Sequence, residues 1–159
     1  MGSLAVGEPS ASNRFDTVYR EHFAVLMRVA FLMLGSNNAA EDLVHDVFVR
    51  CASRLDELEE PASYLRVAVV NACRHEFRRR ARVGSDASRP LEVAVPPDSV
   101  DVQRALLALG ARQRAAVVLR FYEDLPFDDV ARALGCRPAT ARSLVRRAMK
   151  EMRGALDER

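Results

Sequence analysis

The amino-acid sequence predicts an all-α fold: two small helical domains joined by a flexible linker, the second containing a helix-turn-helix. Three observations carry this. Apolar residues recur at three- and four-residue steps through most of the chain. That periodicity fails across residues 83–98, "VGSDASRPLEVAVPPD", which hold a glycine, serines and three prolines. Nowhere does an apolar residue alternate with a polar one for long enough to make a strand, and "LEVAV" in the linker is only a weak candidate. With 159 residues, 49% apolar and 29% charged, the chain can bury a core and still carry a hydrated surface. The division that follows is a disordered tail over 1–13, a first domain over 14–82, a linker over 83–99 and a second domain over 100–156.

The first domain reads as three helices. Phe15, Val18, Tyr19, Phe23, Leu26, Val29, Ala30 and Met33 form one stripe, and Gly35 stops it. Asn38 is the expected N-cap of the second helix, with Glu41 three residues on completing a capping box. That helix carries Leu43, Val44, Val47, Phe48 and Cys51 on one side, and Asp42, Asp46 and Arg50 on the other. Pro61 suits the first turn of the third helix. Its expected core face is Leu65, Ala68, Val69, Ala72, Cys73 and Phe77. Its expected outer face is Arg66, Val70, Arg74 and Arg78, with Asn71 beside them.

The second domain begins near Val100. Leu106, Leu107 and Leu109 lie on a short helix that ends at Gly110, and Ala115, Val118, Leu119 and Tyr122 on the next. Two further helices are expected, over 127–134 and from Pro138 to about Leu156. Their spacing is that of a helix-turn-helix: a small residue, Ala131, where the helices cross, Gly135 in the turn, then Ala141 and Leu144 on the inner face. Asp128 and Asp129 suit the positive end of the first helix, and Pro138 the first position of the second.

The net charge is only +2, but the charges are segregated. Residues 37–60 hold seven acids against Arg50 and Arg54. Residues 62–82 hold six arginines against Glu76. Residues 135–150, "GCRPATARSLVRRAMK", hold five cations and no acid. An acidic face followed by basic ones suggests different partners for each. Cys51, Cys73 and Cys136 form no C-x-x-C pair and lie in no Cys/His cluster, so no zinc site is expected, and an odd count fits a reducing cytoplasm. No signal peptide or long apolar span is found, so no membrane insertion is expected. His45–Asp46 invites a metal-phosphohydrolase reading, but on a helix the two point about 100° apart, and His22 and His75 are the only other histidines. No Gly-rich phosphate loop and no nucleophile elbow are present. No catalytic residue, cofactor or metal is expected.

Three stretches together resemble the two-domain bacterial sigma factors of the extracytoplasmic-function type. "AEDLVHDVFVR" (40–50) resembles the family's helix that binds core RNA polymerase. "PASYLRVAVVNACRHEFRRR" (61–80) resembles its helix that melts and reads the −10 promoter element. "RQRAAVVLRFYEDLPFDDVARALGCRPATARSLVRRA" (112–148) resembles its −35-reading domain. The resemblance implies a cytoplasmic protein that directs transcription initiation, with core RNA polymerase, promoter DNA and an anti-sigma factor as partners. It places Asp42, Asp46 and Arg50 against polymerase. It places Tyr64, Arg66, Asn71, Arg74, Arg78 and Arg79 at the −10 element, where extruded bases need edge hydrogen bonds amid positive charge. Arg137, Thr140, Arg142, Ser143, Arg146, Arg147 and Lys150 would meet the −35 element, with Thr140, Arg142, Ser143 and Arg146 placed to reach bases or phosphates and Arg147 and Lys150 gripping the backbone. The chain departs from the family pattern at the recognition helix, which reads "RPATARSLV": Arg137 stands where a serine cap is usual, Ala139 where glycine is, and Leu144 where arginine is common. The rival reading is a stand-alone helix-turn-helix repressor or activator, which leaves the acidic helix and Asn71 without a role.

Overall fold

The computed structural model describes residues 11–84 and 97–158, and every regular element among them is helical. Residues 1–10 of the expected 1–13 tail, and residues 85–96 of the expected linker with its "LEVAV" segment, lie outside the described residues, while residues 11–13 are not a tail but the start of the first helix. Both neighbouring helices reach into the expected linker, one through Val83 and the other from Pro97.

The N-terminal half is three helices: α1 (Ala11–Leu34), α2 (Asn37–Cys51) and α3 (Pro61–Val83), with a 3-10 turn at Ala52–Glu57. α1 packs against both others. Gly35 ends α1 as expected, with φ +74°. Its N–H donates to the Phe31 carbonyl at 2.8 Å. The cap of α2 is not Asn38 but Ser36. The left-handed turn at Gly35 leaves Ser36 extended at φ −136°, and its hydroxyl accepts from the Ala39 N–H at 3.3 Å. Glu41 is therefore two residues too late for a capping box, whose position falls on Ala39. It faces His45 one turn on, at 3.6 Å. α3 starts at Pro61 and ends at Gly84, whose φ of +67° closes the helix.

The C-terminal half contains α4 (Pro97–Ala108), α5 (Ala111–Val117) running into a π-turn at Val118–Tyr122, α6 (Phe127–Leu134) and α7 (Pro138–Asp157). Ala131 and Ala141 are buried where α6 and α7 cross, and Leu144, Val145, Ala148 and Met152 continue the inner face of α7. Gly135 takes φ +63° in the turn, and its N–H returns to the carbonyls of Ala131 and Arg132.

The two halves share one apolar cluster. α1 meets α4 and α5, and α3 meets α5 and α6. Val70 is the correction that shows it. Expected on the outer face of α3, it is fully buried because the C-terminal half covers that face. Gly35 serves the same contact, since a Cβ there would come 2.8 Å from a Leu107 methyl. At the centre lies Arg114, only 3% exposed. Its guanidinium donates to the carbonyls of Leu106 and Leu109 at 3.0 Å, and to those of Leu107 and, across the contact, Met33. It also lies over the Phe77 ring of α3, 5.0 Å from the centroid. Burial lowers its pKa to about 10, so it stays charged at neutral pH. Burial also pushes the Cys73 thiol up to about 12, which fits a core residue rather than a reactive one.

Candidate nucleic-acid interface

α7 keeps its inner face apolar and turns its cations outward. Arg137, Arg142, Arg146, Arg147 and Lys150 are all exposed, with Thr140 and Ser143 half-buried among them. Arg137 holds the N-cap position in an extended conformation, φ −79° and ψ 151°, and its side chain caps nothing. The Arg147 Nε donates to the Ser143 carbonyl at 3.4 Å, one turn back. Arg142 lies over the Phe127 ring of α6, 5.5 Å from its centroid. This row is the one expected to meet −35 DNA, and the fold brings it together on one helix face.

α3 is arranged differently. At about 100° per residue, Tyr64, Asn71 and Arg78 share a side, while Arg66 points toward the buried Val70 side. Asn71 and Arg78 are exposed. The Tyr64 hydroxyl accepts from the Arg54 guanidinium at 3.2 Å, and that guanidinium lies 5.9 Å from the ring centroid. Arg66, expected from the helical wheel to be freely exposed, is half-buried. It is paired with Glu123 at 2.5 Å, and the two side chains are only 22% and 6% exposed. Arg74 is half-buried, and its pKa is lowered first by burial, then by the nearby Arg78 and Arg112. Arg79 donates two hydrogen bonds to Glu76, at 2.9 and 2.8 Å, and Arg80 adds a third at 2.9 Å. These bonds, Arg79 first, hold the Glu76 carboxyl down at about 2.

On α2, Asp42, Asp46 and Arg50 are exposed, and Arg50 pairs with Asp46 at 3.0 Å. They line a groove between α2 and α3 with Leu43, His75, Glu76 and Arg79. The proposed polymerase face thus borders the proposed −10 face. His45 leaves that row for the aromatic rings of α1. Its Nδ1 lies 3.3 Å from the Tyr19 hydroxyl, and its ring 4.9 Å from that of Phe23.

Two residues that join the halves beside the site were missed in the sequence: Glu123 and Arg114. Arg114 had a signal, because it stands three and four residues before the buried Val117 and Val118, at an apolar position of its own helix. Glu123 had none, because its partner is 57 residues away.

The comparisons with known proteins agree with this layout. Residues 18–83 match the Sigma-70 region 2 family, and residues 99–152 match Sigma-70, region 4. The chain is 28% identical to the ECF RNA polymerase sigma factor SigE of Mycolicibacterium smegmatis, over 96% of this chain and 65% of that protein. It is 32% identical to SigM of Mycobacterium tuberculosis, over 84% of this chain and 72% of that one. Among solved structures, the sigma factor RpoE of Bartonella quintana, in complex with the anti-sigma factor NepR, superposes with a TM-score of 0.75 at 27% identity. That match covers 90% of this chain and 96% of RpoE. Among the described residues no helix is long and apolar enough to cross a membrane.

Proposed function

Since the chain belongs to the sigma factors of the extracytoplasmic-function type, we propose that it docks on core RNA polymerase through Asp42, Asp46 and Arg50, melts and reads the −10 element with α3, and reads the −35 element with α7. The observation that carries this is the presence of two arginine-bearing helix faces, one in each half, beside an acidic row on α2. Charge complementarity at that row would set the rate and register of docking. Tyr64 supplies a ring for an unstacked base, Asn71 an edge that donates and accepts, and Arg66, Arg74, Arg78 and Arg79 the positive charge. On α7, Thr140, Arg142, Ser143 and Arg146 address bases, while Arg137, Arg147 and Lys150 grip the backbone. The activity is binding rather than catalysis, and its place is the cytoplasm, where the polymerase works.

The two promoter elements lie roughly 25 base pairs apart, about 85 Å along the duplex at ~3.4 Å per pair. Halves held together by the pair of Arg66 on α3 and Glu123 in the turn before α6 cannot read both at once. Engagement therefore requires the halves to part and Arg66 to exchange Glu123 for phosphate. An anti-sigma partner, as NepR is for RpoE, would act on the same balance.

The test is run-off transcription with purified core polymerase on a promoter library, with transcript starts sequenced. Starts that share a −10 and a −35 sequence are the expected result. If core polymerase gains no starts from the chain, and the free chain instead selects a palindrome, the repressor reading replaces this one.

A further inference from the structure

Arg142 differs from its neighbours on α7. Its guanidinium carbon lies 5.5 Å from the Phe127 centroid. Among the described residues, no ring lies under Arg137, Arg146, Arg147 or Lys150. Phe127 is the first residue of α6 and packs against the shared apolar core, so its ring is a fixed surface rather than a mobile one. Arg120 lies over the same ring at 5.3 Å and is tethered to Asp124 at 3.3 Å. Its like charge restricts where the Arg142 head can settle.

We propose that Phe127 is a positioning residue for −35 readout: its ring holds the Arg142 guanidinium in place before DNA arrives. This rests on the reading of Arg142 as a base contact. The ring face attracts a flat cation electrostatically. A guanine contact uses two N–H groups in the guanidinium plane, and a cation held by its face keeps those donors free. A long side chain that is free in solution must lose its rotamer freedom on binding. One already docked on a ring has lost part of it in the folded protein, so less is lost at the base pair. Phe127 itself touches no base in this scheme.

The experiment compares wild type, Phe127→Leu, Phe127→Tyr and Arg142→Ala as holoenzyme, binding a library randomised over the −35 element. Arg142→Ala marks the base pair that Arg142 reads. Phe127→Leu keeps an apolar side chain on the core, and should reduce discrimination at that same pair by about two- to fivefold. Phe127→Tyr keeps the ring and should restore it. Phe127→Leu with unchanged discrimination overturns the proposal, and so does a uniform loss over all positions, which would be a packing effect alone. If Arg142→Ala itself relaxes no position, the base-contact reading fails first and the proposal with it. A second measurement does not depend on any variant folding. In the DNA-free full-length chain, the Arg142 Nε–H proton resonance should show an upfield ring-current shift. An unshifted resonance overturns the proposal.

Discussion

α3 and α7 are both arginine-rich helices, but they hold their charge in different states. On α7 the cations stand in water, committed at most to a ring or to one carbonyl of their own helix. On α3 several of the cations are committed to partners within the protein, although Arg78 and Arg79 remain exposed. Arg66 is held by Glu123, Arg79 by Glu76, and Arg74 is partly covered by the other half. A count of arginines therefore overstates what α3 can offer a phosphate in this arrangement. The helix proposed to capture melted DNA is the one whose Arg66 side the fold covers. The helix proposed to read duplex is the one it leaves open.

The largest way to break this difference is to remove the residue that holds the halves together. Arg114→Met should cost about 3–5 kcal/mol, because the carbonyls of Met33, Leu106, Leu107 and Leu109 lose a buried charged donor and a thioether replaces none of those bonds. Urea denaturation is expected to show a lower midpoint and two steps in place of one, as the halves lose their shared core. A single transition at the wild-type midpoint would show that Arg114 does not join them.

Glu123→Gln addresses the cover on α3 directly. An uncharged amide cannot neutralise Arg66, and the pair is mostly out of water. About 2 kcal/mol of stability should be lost. Arg66 should be released at the same time, so that the free chain binds a single-stranded −10 oligonucleotide about tenfold more tightly, the equivalent of roughly 1.4 kcal/mol. Lower stability without tighter binding would mean that Arg66 is not a −10 contact.

Glu76 sharpens the comparison through pH. Its carboxyl is held near 2, below an ordinary value of 4.5, by Arg79 and Arg80. A depressed folded pKa contributes stability that is fully present above about 4.5 and is lost as pH falls toward 2. Discounted for its contact with solvent, the contribution is about 1.5 kcal/mol. The stability gap between wild type and Glu76→Gln should therefore be largest at neutral pH and shrink below about pH 4.5. A gap that stays constant down to pH 3 would show that the α3 arginines are not committed to Glu76.

Local rules were legible in the sequence, and long-range partners were not. Gly35, Pro61, Gly135 and the Ala131–Ala141 crossing follow from turn chemistry and helical spacing, which act within a few residues. Asn38 was mistaken for a cap because a serine two residues earlier competes for the same amides, and the turn at Gly35 decides between them. Val70 and Arg66 were placed in water because a helical wheel shows which residues share a side but not what covers it. Only the C-terminal half, packed against that side, makes Val70 core and Arg66 an ion pair. The outward cations of α7, the proposed −35 row, were easier to place. α7 buries one face and leaves the other unpartnered, so periodicity alone separates its core from its site.

The smallest expected effect tests whether α7 holds its charge free at a cost to its own folding. Arg137 occupies a cap position that a hydroxyl would fill better, since a guanidinium cannot accept a bond from the orphan amides of the first turn. It also sets a positive charge at the positive end of the helix dipole. Arg137→Ser should therefore stabilise the chain by about 1 kcal/mol, read as a higher melting temperature. The same change removes one cation from the proposed phosphate contacts. Holoenzyme binding to a −35 duplex should weaken, and the dependence of log affinity on log salt should fall by about one unit. Both results together would mean that the open state of α7 is maintained against the preference of its own helix start. A lower melting temperature would show that Arg137 already has a favourable partner, and that the cations of α7 are less free than those exposed side chains suggest.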